Sequence, residues 1–192
     1  MDKKESTFLN MLVTLFLVTL MAAGMLGGVY SLTKEPIRLT ELKRKNEAIQ
    51  SVVPAFDNEP SREMEKRYVD GDTLYFYTAR KDGNVVGTAV ETFTDQGFSG
   101  TFKLMVGFRP DGTIIDIAVI SHAETPGLGD KMKKDKSGFS EQFAGKDPAN
   151  FDLSVRKDGG DVDAITAATI TSRAYCDAVQ RAYDALKEME GE

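Results

Sequence analysis

The spacing of apolar and polar residues changes character along the chain. From Ser6 to Thr33 there is no charged side chain, and Met11 to Val29 reads MLVTLFLVTLMAAGMLGGV. The pattern predicts a membrane-spanning helix. As an α-helix the run would extend about 42 Å, beyond the ~30 Å hydrocarbon core, so it spans with tilt. A cleaved leader has an apolar region of only about 7–15 residues, which favours a retained anchor. Gly24 and Gly28 have the small-xxx-small spacing that lets helices approach closely in lipid. From Pro36 to Val53 apolar residues recur at helical spacing among charges, predicting a juxtamembrane helix that ends near Pro54.

Period-two patterns follow. Residues 57–72 are polar and read as loop or a short irregular strand. LYFYTAR (Leu74 to Arg80) and NVVGTAVETF (Asn84 to Phe93) flank Asp82-Gly83, a hairpin signature. In TFKLMVGF, Phe102, Leu104, Val106 and Phe108 share one face, and TIIDIAVI returns after Pro110-Asp111-Gly112. Residues 123–138 break the pattern as a Gly- and Lys-rich loop. GFSEQFAG predicts a short helix and FDLSVRK a last strand. The final helix is carried by Ala174, Ala178, Ala182 and Leu186 at i, i+4 steps, with Tyr175, Val179 and Tyr183 beside them. Thr171 or Ser172 is placed to cap its start. The fold class expected is α+β: one membrane helix, then a domain of antiparallel hairpins closed by a C-terminal helix. The expected divisions are 1–33 (leader and membrane helix), 34–72 (juxtamembrane helix and connection) and 73–192 (the domain).

Charge and composition narrow the chemistry. The net charge is −6, and the charges of the leader cancel, so the acidic excess belongs to the remainder. Such a domain has no general attraction for nucleic acid. One cysteine, Cys176, excludes an intrachain disulfide and an all-cysteine metal or iron–sulfur site. It falls off the apolar stripe of the last helix and reads as a bystander. His122, the single histidine, stands two residues before Glu124, but no P-C-x-x-C follows to complete a zinc site. The lysines at 131, 133, 134 and 136 read as solvated loop residues.

Two stretches carry candidate chemistry. In ETPGLGDK (Glu124 to Lys131), Gly127 and Gly129 let backbone approach a ligand, yet G-x-G without a third glycine is no dinucleotide fingerprint. In DAITAATITS (Asp163 to Ser172), hydroxyls converge with backbone N–H groups at a helix start, where the dipole favours an anion. Either stretch alone also fits an ordinary turn or a loop with redundant caps.

Together they resemble a known family. Asp163 to Thr169, D-A-I-T-A-A-T, resembles the flavinylation motif Asp-x-x-(Ser/Thr)-Gly-Ala-Thr of the FMN-binding domain family. ETPGLG resembles that family's other marker, in the expected place between the second hairpin and the last helix. GFSG (Gly97 to Gly100) is similar to its pattern as well. The resemblance covers roughly Thr73 to Leu186. It implies one covalently held FMN per chain, its phosphate esterified to the hydroxyl of Thr169 by a separate flavin transferase. It further implies that Thr166, Ala168, Thr171 and Ser172 surround the phosphate, and that Glu124, Thr125, Gly127, Leu128 and Gly129 border the ring. Asp163 would serve the transferase rather than the bound flavin. The motif's glycine is Ala167 here; if that position needs φ > 0, alanine costs roughly 1 kcal/mol or more.

Within the family, the short length and single anchor favour the flavoprotein subunit of Rnf ion-translocating electron-transport complexes. The corresponding subunit of the sodium-pumping NADH:quinone reductase is typically longer. Either way the chain would relay electrons among other membrane subunits and catalyse nothing alone. The Rnf reading places it in the bacterial inner (cytoplasmic) membrane with its domain on the periplasmic or outer side. Lys34, Arg38, Lys43, Arg44 and Lys45 argue the reverse by a plain positive-inside count, a rule that weakens before a long domain. A pilin-like protein would need a Gly-Phe processing site and an early Glu in the apolar run, and Lys4-Glu5-Ser6-Thr7-Phe8 offers neither in position.

Overall fold

The structure, a computed structural model, describes residues 7–69 and 72–191. Helix α1 (Phe8–Val52) is followed by strands β1 (Glu65–Val69), β2 (Asp72–Lys81), β3 (Asn84–Thr94), β4 (Phe102–Phe108) and β5 (Ile114–Ser121), and the chain ends in helix α2 (Thr169–Glu190). The α+β class expected from the sequence is the class observed. By its contacts the chain divides into two compact units, one ending at Lys43 and one beginning at Arg44.

In the first unit the apolar side chains, from Phe8 and Leu9 to Leu32 and Leu39, stand exposed. This stretch is long and apolar enough to cross a membrane. Threonine hydroxyls are satisfied within the helix: Thr14 donates to the Asn10 carbonyl at 2.7 Å, and Thr19 and Thr33 donate to the carbonyls of Leu15 and Val29, each at 2.9 Å. Such back-bonding suits a solvent that offers no hydrogen bonds. A side chain added at Gly24 or Gly28 would touch nothing within 4 Å. Two helices meeting near Pro36 were expected, but α1 runs through that residue as one element. Proline removes one donor, but its φ of about −65° is helical. The helix ends at Val52, two residues before Pro54, near which its end was expected.

The second unit is built on an antiparallel meander, β1-β2-β3-β4-β5, each strand paired with its sequence neighbour. Asp82 and Gly83, with φ of 50° and 79°, make the β2–β3 turn in the left-handed conformation that a two-residue hairpin requires. The period-two reading of β4 holds: Phe102, Leu104, Val106 and Phe108 are fully buried against α2, beside Ala174, Ala178 and Ala182. The opposite face of the sheet, through Tyr77, Ala79, Ala89 and Met105, packs on Ala48, Ile49 and Val52 of α1. There Gly107 lies so close to the Val52 carbonyl that a Cβ would overlap it. Glu91 is buried on this side, accepting from the Tyr77 hydroxyl at 3.0 Å and paired with Lys45 at 3.0 Å. Burial and that carboxylate push the Tyr77 phenol well above its usual range.

Between β5 and α2 the chain is irregular. The short helix expected in GFSEQFAG is a 3₁₀ turn, Phe139–Phe143. The strand expected in FDLSVRK is absent among the described residues; only an isolated bridge joins Val155 to Val162. Asp152 accepts from the Ser154 amide at 2.8 Å, and its own amide donates to Asp161 at 3.0 Å. These local bonds occupy backbone groups that a ladder would need. Leu153, Val155 and Val162 still supply core. Cys176, expected off the apolar stripe of α2, is instead buried in the core, and burial pushes its thiol up to about 12.

Candidate functional site

The run from Asp163 to Ser172 turns sharply before it becomes α2. The Ala168 amide donates to the Ile165 carbonyl at 3.0 Å, and Ala167 between them has φ of +62°. The motif's glycine position therefore does need the left-handed conformation, and here an alanine holds it. Thr171 and Ser172, expected as caps, do other work. Ser172 accepts from the Ile165 amide at 2.9 Å and donates to the Ala168 carbonyl at 3.0 Å, tying the turn to the helix. Ala168 occupies the N-cap and no side chain caps α2. The first-turn N–H groups, which lack intrahelical partners in any α-helix, are thus left to a ligand or solvent. Thr169, the first residue of the helix, is half-buried; Thr166 and Ala167 are exposed.

Glu124 joins the distant stretches. It is buried, and its carboxylate accepts from the Thr171 hydroxyl at 3.0 Å on one oxygen and from the Ser99 amide at 3.0 Å on the other. Its own amide donates to His122 Nδ1 at 3.2 Å. Two glycines make room for it. A Cβ at Gly129 would strike the Glu124 carboxylate and lie 2.9 Å from Thr171 Oγ1. One at Gly97 would lie 2.8 Å from the other carboxylate oxygen and 2.9 Å from the Phe102 ring. The absence of a side chain at Gly129 thus makes room for the buried Glu124 carboxylate. Gly127 (φ +80°) shapes the turn whose Leu128 amide returns to the Thr125 carbonyl at 3.1 Å.

These segments enclose a cavity of about 300 Å³. Of the residues singled out from sequence, Glu124, Thr125, Leu128, Gly129, Ala168, Thr169 and Thr171 line it. Gly127, Thr166 and Ser172 are not among its lining residues. Asp163 turns away: Gln142 brackets its backbone at 2.8 and 3.1 Å, and its carboxylate pairs with Arg156 at 3.2 Å. The lining also includes Phe98, Ala167 and Ile170, to which the sequence reading gave no binding role. Phe98 had a signal, as the apolar residue of GFSG, whereas the side of α2 on which Ile170 falls depends on where the helix begins. The loop lysines lie elsewhere, Lys134 bonded to Asp116 at 2.5 Å.

The residues present fit FMN. A phosphate would find hydroxyls and uncapped N–H groups at a helix start, and a flat apolar ring would find Phe98, Leu128 and Ile170. Fold and cavity together define a flavin-binding domain following a helix of membrane-spanning character. Comparison agrees: the FMN-binding domain family matches residues 97–184. The G subunit of the ion-translocating oxidoreductase complex of Vibrio cholerae serotype O1 (strain M66-2) is 34% identical over 177 residues, covering 87% of this chain and 84% of that protein. The G subunit of the same complex in Haemophilus influenzae (strain PittEE) is 34% identical over 178 residues, covering 88% and 85%. That of Shewanella oneidensis is 35% identical over 178 residues, covering 88% and 84%. The chain belongs to the family of G subunits of ion-translocating oxidoreductase complexes.

Proposed function

We propose that Thr169 carries FMN as a phosphoester and that residues 73–192 form an electron-relay domain of an Rnf-type complex. The observation that carries this reading is the position of Thr169, half-buried on the cavity wall at the first residue of an uncapped helix. FMN supplies electron transfer in one- or two-electron steps. The residues of this chain hold and orient it. The first-turn amides of α2, with the nearby Thr166 hydroxyl, would hold the phosphate; Ala168 and Ser172 fix the turn, and Glu124 holds three loops in register around Thr125, Gly127, Leu128 and Gly129, which would border the ring. Asp163, exposed and paired with Arg156 outside the cavity, is available to a flavin transferase. Relatives named as subunits of a complex support partner subunits in the membrane, with the lipid bilayer around the uncharged part of α1 up to Thr33.

The test is intact mass of the full chain, produced with and without a flavin transferase. An increment of FMN minus water is expected only with the transferase, and Thr169→Val should abolish it. Covalent flavin retained on Thr169→Val would defeat the assignment. We place the domain on the outer side of the cytoplasmic membrane. A protease added to cells stripped of any outer membrane should then degrade it, and full protection would reverse the placement.

A further inference from the structure

Three large apolar side chains around the cavity are exposed: Phe98 at 68%, Ile170 at 49% and Leu128 at 41%. Single exposed hydrophobics are ordinary, but three converging on one cavity mark a binding surface. Phe98 is also held in place. Its loop closes through the Gly100 amide on the Gly97 carbonyl at 3.2 Å, and the Ser99 amide is fixed on Glu124 at 3.0 Å. Gly97 is packed too closely against Glu124 and Phe102 to admit a side chain, so the backbone presenting the phenyl has little room to move. The cavity, at about 300 Å³, is at the lower end for small-molecule sites, so a tricyclic ring would need cover from the rim.

We propose that Phe98 is a flavin-contact residue, its phenyl lying against the isoalloxazine ring of the FMN carried by Thr169. The inference rests on the preceding reading of Thr169. Its chemical basis is the preference of aromatic surfaces for stacked or edge contacts, here between a side chain whose loop is fixed on Glu124 and a ring tethered to another residue of the same lining. The phenyl shields one part of the ring from water and sets the dielectric there, a lever on potential.

The chain contains no tryptophan, which makes the test clean. An indole or phenol in van der Waals contact quenches flavin fluorescence by electron transfer, whereas a phenyl does not. The flavinylated full chain in detergent is compared with Phe98→Trp, Phe98→Tyr and Phe98→Leu, and with Tyr68→Trp as a control at an exposed strand position. Intact mass confirms the flavin in each protein. A several-fold loss of emission is expected for Phe98→Trp and Phe98→Tyr, with none for Tyr68→Trp, and Phe98→Leu should increase quenching by iodide. Unchanged emission in both aromatic variants, with the flavin mass present, would overturn the contact while leaving the Thr169 assignment intact. Absence of the flavin mass from the parent protein would overturn both.

Discussion

Replacing Ala167 by glycine should stabilise this protein, although glycine ordinarily weakens a fold. Ala167 holds φ of +62°, where an L residue with a Cβ is about 1–2 kcal/mol worse than in its preferred wells. Glycine removes that penalty but adds roughly 0.4–1 kcal/mol of unfolded-state entropy. The side chain is exposed, so little packing is lost, and the balance is a gain of about 0.5–1 kcal/mol. For a chain of this size, that raises Tm by roughly 1–4 °C. Ala144→Gly is the control: Ala144 is also exposed, but its φ of −62° and ψ of 128° suit any residue. Its substitution should lower stability by about 0.4–1 kcal/mol. Thermal or urea unfolding of both variants in the same detergent gives the comparison, and the gap of about 1–2 kcal/mol isolates the backbone term. Equal losses in the two variants would refute the reasoning. On the proposed function, Ala167→Gly should also accelerate flavin transfer, read as the rate of mass gain.

Glu124→Gln and Thr171→Val both disturb the hydrogen bond between their distant loops, and Glu124→Gln also alters the bond from the Ser99 amide, which the cycle subtracts. In a double-mutant cycle on unfolding they should couple by about 1.5–3 kcal/mol, the range for a bond to a charged group; additivity would show that the bond carries no stability. Gly107→Ala drives a methyl into the Val52 carbonyl and should cost about 1–3 kcal/mol as overpacking, measured as a fall in the urea midpoint with unchanged slope. Cys176, its thiol raised to about 12 by burial, should resist Ellman's reagent at pH 8 in the folded protein and react fully in denaturant. Because the folded thiol holds its proton more tightly than the unfolded one, its contribution to stability is complete below about pH 8.5 and is lost as pH rises toward 12. Cys176→Ala should flatten that alkaline decline.

Elements with a clean period were legible from sequence. The alternation of Phe102 to Phe108 and the i, i+4 alanines of α2 state which face is buried, and the Asp82-Gly83 turn states the pairing. Residues whose role depends on distant partners were not. Nothing local marks Glu124 as a buried acceptor, because its donors come from Ser99 and Thr171. Thr171 and Ser172 look like caps until the helix is known to begin two residues earlier, at Thr169. Cys176 lies beside the apolar stripe on a wheel, yet it belongs to one buried cluster with Leu153 and Val155 of the irregular segment. FDLSVRK has strand composition, but aspartate side chains take up the backbone groups that a strand would use. Ala167 was the reverse case: the resemblance marked a position where φ matters, and the backbone supplied its sign.

The meander also implies an order of assembly. Every strand pairs with its sequence neighbour, so the sheet needs only short loop closures, which are fast. Docking α2 is different: Thr92 bonds the Ala178 carbonyl across 86 residues, and Arg181 reaches the Phe93 carbonyl across 88. Such non-local contacts form late, because their closure entropy must be offset by packing that the sheet already presents. The Thr169 hydroxyl would then meet the loops around Glu124 only in the closing step of folding. A chain stopped on the ribosome before α2 could pair its hairpins and still lack a pocket, so cofactor loading would act as a readout of completed folding.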